Sequence, residues 1–220
     1  MRTWIIGSGG LFGSALARAS EDLFIGPPIP WLDSQRALQV LRQTLSDFTS
    51  HAGDRWCIAW AAGQATTSSD QTQANQELDL FTQFIQQLNV HRPAGQGVFL
   101  LTSSAGGVYA GSSPAPFSST SIPQPLSVYG QLKLAQEQAS EALLTSLPVA
   151  TLRISNLYGP GQDLGKLQGL ISRLALAAIT RKPITMFVPL DTMREYIFTD
   201  DAAQRALHWA SHALEAQQST

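Results

Sequence analysis

Short apolar runs alternate with longer stretches of helical period along this chain, and the alternation predicts parallel βαβ units. Residues 2–7 form the first strand and 11–20 the first helix. Leu23-Phe24-Ile25 is a second strand, stopped at Gly26-Pro27-Pro28-Ile29-Pro30, where proline removes ladder donors. Ser34 is the expected cap of a helix over 34–49, with Ala37, Leu38, Leu41, Leu45 and Phe48 on one face. A strand over 56–61 and a polar loop at 64–70 precede a helix over 71–90, whose buried side holds Leu78, Phe81, Phe84, Ile85 and Leu88. The strand 97–102 leads into a Ser- and Pro-rich segment, 111–127. That segment joins two elements of one sheet, so it reads as an active-site loop. A helix over 127–146, a strand over 149–154 and a turn at Tyr158-Gly159-Pro160-Gly161 follow. Then come a helix over 164–180, a short strand near 184–188 and an extended segment at 195–198. Asp200 or Asp201 caps a last helix, which frays over 215–220. The expected class is α/β, a doubly wound parallel sheet.

Composition narrows the setting. Fourteen basic against sixteen acidic residues give a net charge of -2, which offers no electrostatic footing for nucleic acid or membrane. The single cysteine, Cys57, lies in an apolar strand and has no disulfide partner, as suits a reducing compartment. The chain opens directly on a strand, and no run reaches the ~18 apolar residues that span a bilayer, so a cytoplasmic location is expected.

Gly7-Ser8-Gly9-Gly10-Leu11-Phe12-Gly13 lies between the first strand and the first helix. Glycines there let the backbone approach a pyrophosphate, and the helix N-terminus offers free N–H groups to its oxygens. At the head of a βαβ series, this is a dinucleotide-binding loop, for NAD or NADP. The acid expected about 20 residues further on is missing. Asp33 is the nearest carboxylate, a ribose ligand or a helix cap, and Arg36 is the nearest base.

Tyr129 and Lys133 stand four apart at the start of a helix, on one face. A free tyrosine, with pKa ~10, is a poor base at neutral pH. An ammonium held ~4 Å away at an effective dielectric of ~20 contributes about 4 kcal/mol, enough to draw the phenol toward neutrality. Upstream, Thr102-Ser103-Ser104-Ala105-Gly106-Gly107 follows the C-terminal end of a strand, where open α/β sheets bind ligands. Ser104, or alternatively Ser103, is placed there to hold the substrate oxygen beside the tyrosine.

Together these motifs resemble the extended short-chain dehydrogenases, the NAD-dependent epimerases and dehydratases of nucleotide sugars. Gly7, Gly10 and Gly13 match G-x-x-G-x-x-G, and Trp60-Ala61-Ala62-Gly63 stands where the family has a strand-end His-x-Ala-Ala. Asn75 corresponds to the family's cofactor-side asparagine. The run from Pro125 to Lys133 matches P-x-S-x-Y-G-x-S-K, with Leu132 departing from the serine. Arg153 to Pro160 matches R-x-x-N-x-Y-G-P, and Arg194 to Asp201 matches R-D-Y-x-x-V-x-D. The resemblance implies a Rossmann core over 1–155 and a small or truncated C-terminal substrate lobe over 156–220. It implies catalysis by Ser104, Tyr129 and Lys133, with Gly7, Gly9, Gly10, Leu11, Phe12, Gly13, Ala61, Ala62, Gly63 and Asn75 at the cofactor together with Tyr129 and Lys133 themselves. Ser104, Gly106, Asn156 and Arg194 are expected to meet a sugar or nucleotide-sugar substrate, and the helices 71–90 and 127–146 to pair across a homodimer.

Departures from the family narrow the reaction. Dehydratases carry an Asp-Glu pair after the catalytic Ser or Thr, and decarboxylases a glutamate; here stand Ala105, Gly106 and Gly107. Epimerase or ketoreductase therefore ranks above dehydratase, and a non-catalytic NAD(P)-binding sensor is the alternative from another class. The family's third strand and adenine-contacting Asp are expected to be absent, since 34–49 is one helix. His208 and His212 lack a third ligand in metal spacing, and no metal site is expected.

Overall fold

In the computed structural model, residues 1–66, 69–144, 147–165, 169–185 and 192–216 are described. The elements are β1 (Arg2–Ile6), α1 (Leu11–Ala19), β2 (Asp22–Phe24), α2 (Ser34–His51), β3 (Arg55–Trp60), α3 (Gln71–Val90) and β4 (Gln96–Ser104). They continue with α4 (Ala105–Val108), α5 (Val128–Leu143), β5 (Val149–Ile154), β6 (Asn156–Tyr158), α6 (Leu170–Thr180), β7 (Tyr196–Phe198) and α7 (Thr199–Ala216). Five parallel strands form a sheet in the order β2-β1-β3-β4-β5. The order reverses between β1 and β3, which opens a crevice at the C-terminal ends of those strands. No strand stands between β2 and β3, because α2 alone fills that crossover.

Side-chain alternation sends the two faces of the sheet into different cores. Trp4, Ile6, Trp56, Ile58, Trp60, Phe99 and Leu101 face α2 and α3. Ile5, Cys57, Ala59, Val98 and Leu100 face α1 and α7. With both faces covered, the strands read as unbroken apolar runs. The first core is aromatic: Trp4 meets Phe48 at 5.6 Å and Phe84 at 5.8 Å between ring centroids. The second is built on alanines, and Ala203, Ala206 and Ala210 let α7 lie close against the sheet and α1. Gly97 is required by this packing, since a Cβ there would overlap the Trp56 ring.

Several expectations shift. Asp33, not Ser34, caps α2, its carboxylate accepting from the Arg36 N–H at 3.0 Å. Leu80 is buried on α3, whereas Leu78 is only half-buried. α6 begins six residues later than the periodicity suggested, after Gly169 at φ +89°. Asp200 and Asp201 lie inside the first turn of α7 and not before it, and Asp200 pairs with Arg18 at 2.5 Å. β6, unforeseen, pairs in parallel with β7. The expected strand near 184–188 and the tail beyond 216 lie largely outside the described residues. Among the described residues, no helix is long and apolar enough to cross a membrane.

Burial pushes the Cys57 thiol up to about 12. Thiol reagents should leave it unlabelled at neutral pH until denaturant unfolds the chain; rapid native labelling would show the α1/α7 face to be open. Phe84→Ala should cost about 3–5 kcal/mol in denaturant unfolding, because its site lies between rigid rings that cannot collapse into the space.

Candidate active site

β1 ends on Gly7 at φ +95°, and a Cβ there would press to 2.6 Å on the Ala62 amide nitrogen. The exits of β1 and β3 therefore touch backbone to backbone. A Cβ on Gly13 would overlap the Gly7 carbonyl, which seats α1 directly on the loop. Gly10 donates to that carbonyl at 3.0 Å and begins α1 with no side-chain cap. The first amides of α1 are thus left for an anion at the crevice. Open space lies above Gly9, and Leu11 lines the main cleft, while Phe12 turns its ring into the alanine-rich core. Ala61 donates to the Ile6 carbonyl at 2.8 Å, and Gly63 sits against Glu77 and Lys133. This cradle fits a dinucleotide pyrophosphate. Asn75 does not reach it: the residue is exposed, its side-chain oxygen accepts from Gln71, and it lines neither cavity.

Ser104 ends β4 and caps α4, accepting from the Gly107 N–H at 3.2 Å. Ser127 caps α5 in the same way through Gly130 at 3.1 Å. The two helix starts interlock through glycine, since a Cβ on Gly130 would overlap the Gly107 carbonyl and one on Gly107 would meet the Tyr129 ring at 3.1 Å. This contact carries Tyr129 to the end of β4, where it lines the same cleft as Ser104. The Lys133 ammonium lies 5.8 Å from the Tyr129 ring centroid. The three residues proposed from the sequence therefore come together at the C-terminal edge of the sheet.

Their electrostatics differ from the expectation. Burial raises the Tyr129 phenol above its ordinary range; the Ser104 bond pulls it back, and the negative charge of Glu77 raises it further. Burial likewise lowers the Lys133 ammonium, an effect opposed by Glu77 and Glu137. Lysine charge is spent locally. Lys133 Nζ donates to Gln136 Oε1 at 3.0 Å and lies 3.8 Å from Glu77 Oε1. Glu77 also accepts from the Gln64 and Ala65 N–H groups at 2.8 and 2.9 Å.

Ser103 points the other way. Its hydroxyl donates to Glu137 at 2.5 Å, and Glu137 takes a two-pronged ion pair from Arg153, with Nη2 to Oε2 at 2.7 Å. Arg153 in turn donates to the Tyr109 hydroxyl. Glu77 and Glu137 escaped the sequence reading. The usable signal was phase: Glu77 shares its helical stripe with Phe81, Phe84 and Leu88, and Glu137 shares its own with Lys133 and Leu144.

A cleft of about 1040 Å³ opens over this site. Ser104, Tyr129, Asn156 and Arg194 all line it; Gly106 is exposed and does not. Asn156 spends its side-chain N–H on the Glu195 carbonyl at 2.9 Å. Arg173 and Lys182, which no motif singled out, join Arg194 on the wall. Among the described lining residues every charged group is basic. Metal-type clusters are absent among the described residues; His212 instead faces His208 and Glu215.

The family model of the NAD dependent epimerase/dehydratase family matches residues 29–219. The chain belongs to that family. Two curated relatives match shorter segments. The dTDP-L-rhamnose 4-epimerase of Burkholderia thailandensis is 38% identical over 97 residues, 43% of this chain and 27% of that protein. The dTDP-4-dehydro-6-deoxyglucose reductase of Escherichia coli is 31% identical over 107 residues, 48% of this chain and 34% of that protein. The matches thus span about a quarter to a third of those relatives' length. Among solved structures, the UDP-N-acetylglucosamine 4-epimerase of Methanobrevibacter ruminantium M1 superposes with a TM-score of 0.77 at 18% identity, covering 96% of this chain and 73% of that one. The epimerase/dehydratase fold is therefore shared well below the level of obvious sequence likeness.

The raised phenol gives a direct readout. Ultraviolet titration of the protein should show one tyrosine ionising above ~10, absent from Tyr129→Phe. A Tyr129 midpoint at or below that of the free amino acid would contradict the burial and Glu77 effects.

Proposed function

We propose that this chain is an NAD(P)-dependent epimerase or ketoreductase acting on a sugar linked to a nucleotide. The observation that carries the reading is the convergence of Ser104 and Tyr129 on the wall of the cleft, with Lys133 against the tyrosine ring and the glycine cradle alongside. The cofactor is NAD or NADP, held at Gly7 to Gly13 and at Ala61 to Gly63. When bound, its nicotinamide accepts and returns a hydride. Ser104 holds the reacting oxygen of the sugar. Tyr129 takes the hydroxyl proton as the carbon beneath it loses hydride, and gives the proton back when hydride returns. A neutral phenol, favoured by the burial of Tyr129, suits the reductive half, in which O–H donates to a carbonyl oxygen. Lys133 steadies the charge on Tyr129 and would hold the nicotinamide ribose of a bound dinucleotide.

Two features support the substrate class and the reaction type. Arg173, Lys182 and Arg194 line the cleft, and such a basic wall suits the phosphates of a nucleotide sugar. The lining offers no carboxylate among the described residues, and Ala105, Gly106 and Gly107 follow the serine, so the acid–base pair of an elimination has no candidate there. Relatives named epimerase and reductase fit both members of the proposal. A cytoplasmic homodimer built on α3 and α5 belongs to the same reading.

Tyr129→Phe should abolish turnover of sugar nucleotides while dinucleotide affinity stays within a few-fold. Retained turnover would remove Tyr129 as the base. Bound dinucleotide without hydride exchange in the unaltered protein would favour the sensor alternative.

A further inference from the structure

Glu77 belongs to none of the family motifs read from the sequence, yet two parts of the site converge on its carboxylate. From the β3–α3 connection, the Gln64 and Ala65 N–H groups donate to Oε2 at 2.8 and 2.9 Å. From α5, Gln136 Nε2 donates to Oε1 at 3.3 Å, and Lys133 Nζ stands 3.8 Å from the same oxygen. Gly63 makes this approach possible, since a Cβ there would meet Glu77 Oε1 at 3.1 Å and Lys133 Nζ at 3.4 Å.

Lys133 is only 6% exposed, and a buried ammonium needs a counter-charge. Two carboxylates act on it, Glu77 and Glu137, and Glu77 is the one in ion-pair contact. On its own helix, Glu137 is neutralised by the Arg153 ion pair from β5, and Tyr129 is a neutral phenol. β4 contributes the hydroxyls of Ser103 and Ser104. From α3 comes Glu77. Ala65, tied to Glu77, lines both the main cleft and a second cavity of about 290 Å³ that Gly63, Gln64 and Glu77 also line. The carboxylate thus joins the loop between the two cavities to the lysine of the proposed base.

We propose that Glu77 is a positioning residue of the reaction: its carboxylate holds the buried Lys133 ammonium against Tyr129 and ties it to the Gly63–Ala65 loop. The inference rests on the reading of Tyr129 and Lys133 as reacting groups, but its test needs neither substrate nor dinucleotide.

The chain has three lysines, Lys133, Lys166 and Lys182, so protein labelled with 13C at the lysine ε-carbon gives a simple spectrum, and Lys133→Met assigns the signal of interest. Glu77→Gln should lower the Lys133 midpoint by about one pH unit or more, a tenfold rise in its acid dissociation constant. Amide exchange at Gln64 and Ala65 should speed up in the same variant. Should Glu77→Gln not fold, Glu77→Asp decides, since drawing the charge back by one methylene must lower the midpoint by a smaller amount. An unchanged Lys133 midpoint in the folded variant would overturn the counter-ion role, and unchanged exchange the tie to the loop. Either result can arise while Tyr129→Phe still abolishes turnover, so the two readings fail separately.

Discussion

Helix α5 carries Tyr129, Lys133, Gln136, Glu137 and Ser140 into the interior, against a sheet that is otherwise apolar, and each of these groups has to be satisfied within the protein. The partners come from four directions. Arg153 on β5 takes Glu137, Glu77 on α3 takes Lys133, β4 supplies Ser103 and Ser104, and the helix backbone at Gln136 receives Ser140. Removing one member of such a buried pair costs about 3–5 kcal/mol, far more than an exposed pair contributes. The register of α5 over the sheet follows. Ser103 and Ser104 point to opposite sides of β4, so Ser103 anchors Glu137 while Ser104 faces Tyr129. A slip of one residue in β4 would exchange those roles and empty the site.

The frame of the molecule was legible because it depends on local rules. Period-2 and period-3.6 patterns marked all five sheet strands within one or two residues, and the unbroken helical period of 34–49 announced the missing third strand. Close backbone approach explains why Gly7 and Gly13 were readable at the start of α1. What escaped the sequence was long-range. Glu77 lies 56 residues before Lys133, and a glutamate on a helix reads as surface until the helix it packs against is known. Motif matching assigned Asn75, but two residues along a helix turn a side chain about 200° away, so Glu77 faces the site and Asn75 faces solvent. The three-residue strands β6 and β7 carry too little pattern to be distinguished from a turn.

The electrostatic expectation failed for a related reason. A lysine four residues from a tyrosine was expected to pull the phenol down, but the ammonium is matched by Glu77, and burial outweighs what remains. Proton affinity at this site is thus set by three side chains from two helices and a strand. The cleft beyond is basic, in keeping with a substrate that brings its own negative charge.

Hydride transfer at the carbon above Tyr129 is most directly followed with a nucleotide sugar deuterated at that carbon. The proposed chemistry keeps the label off water: it returns to the same carbon in an epimerised product, or is found on the nicotinamide. Loss of the label to solvent during turnover would contradict hydride transfer and point to proton abstraction from carbon instead.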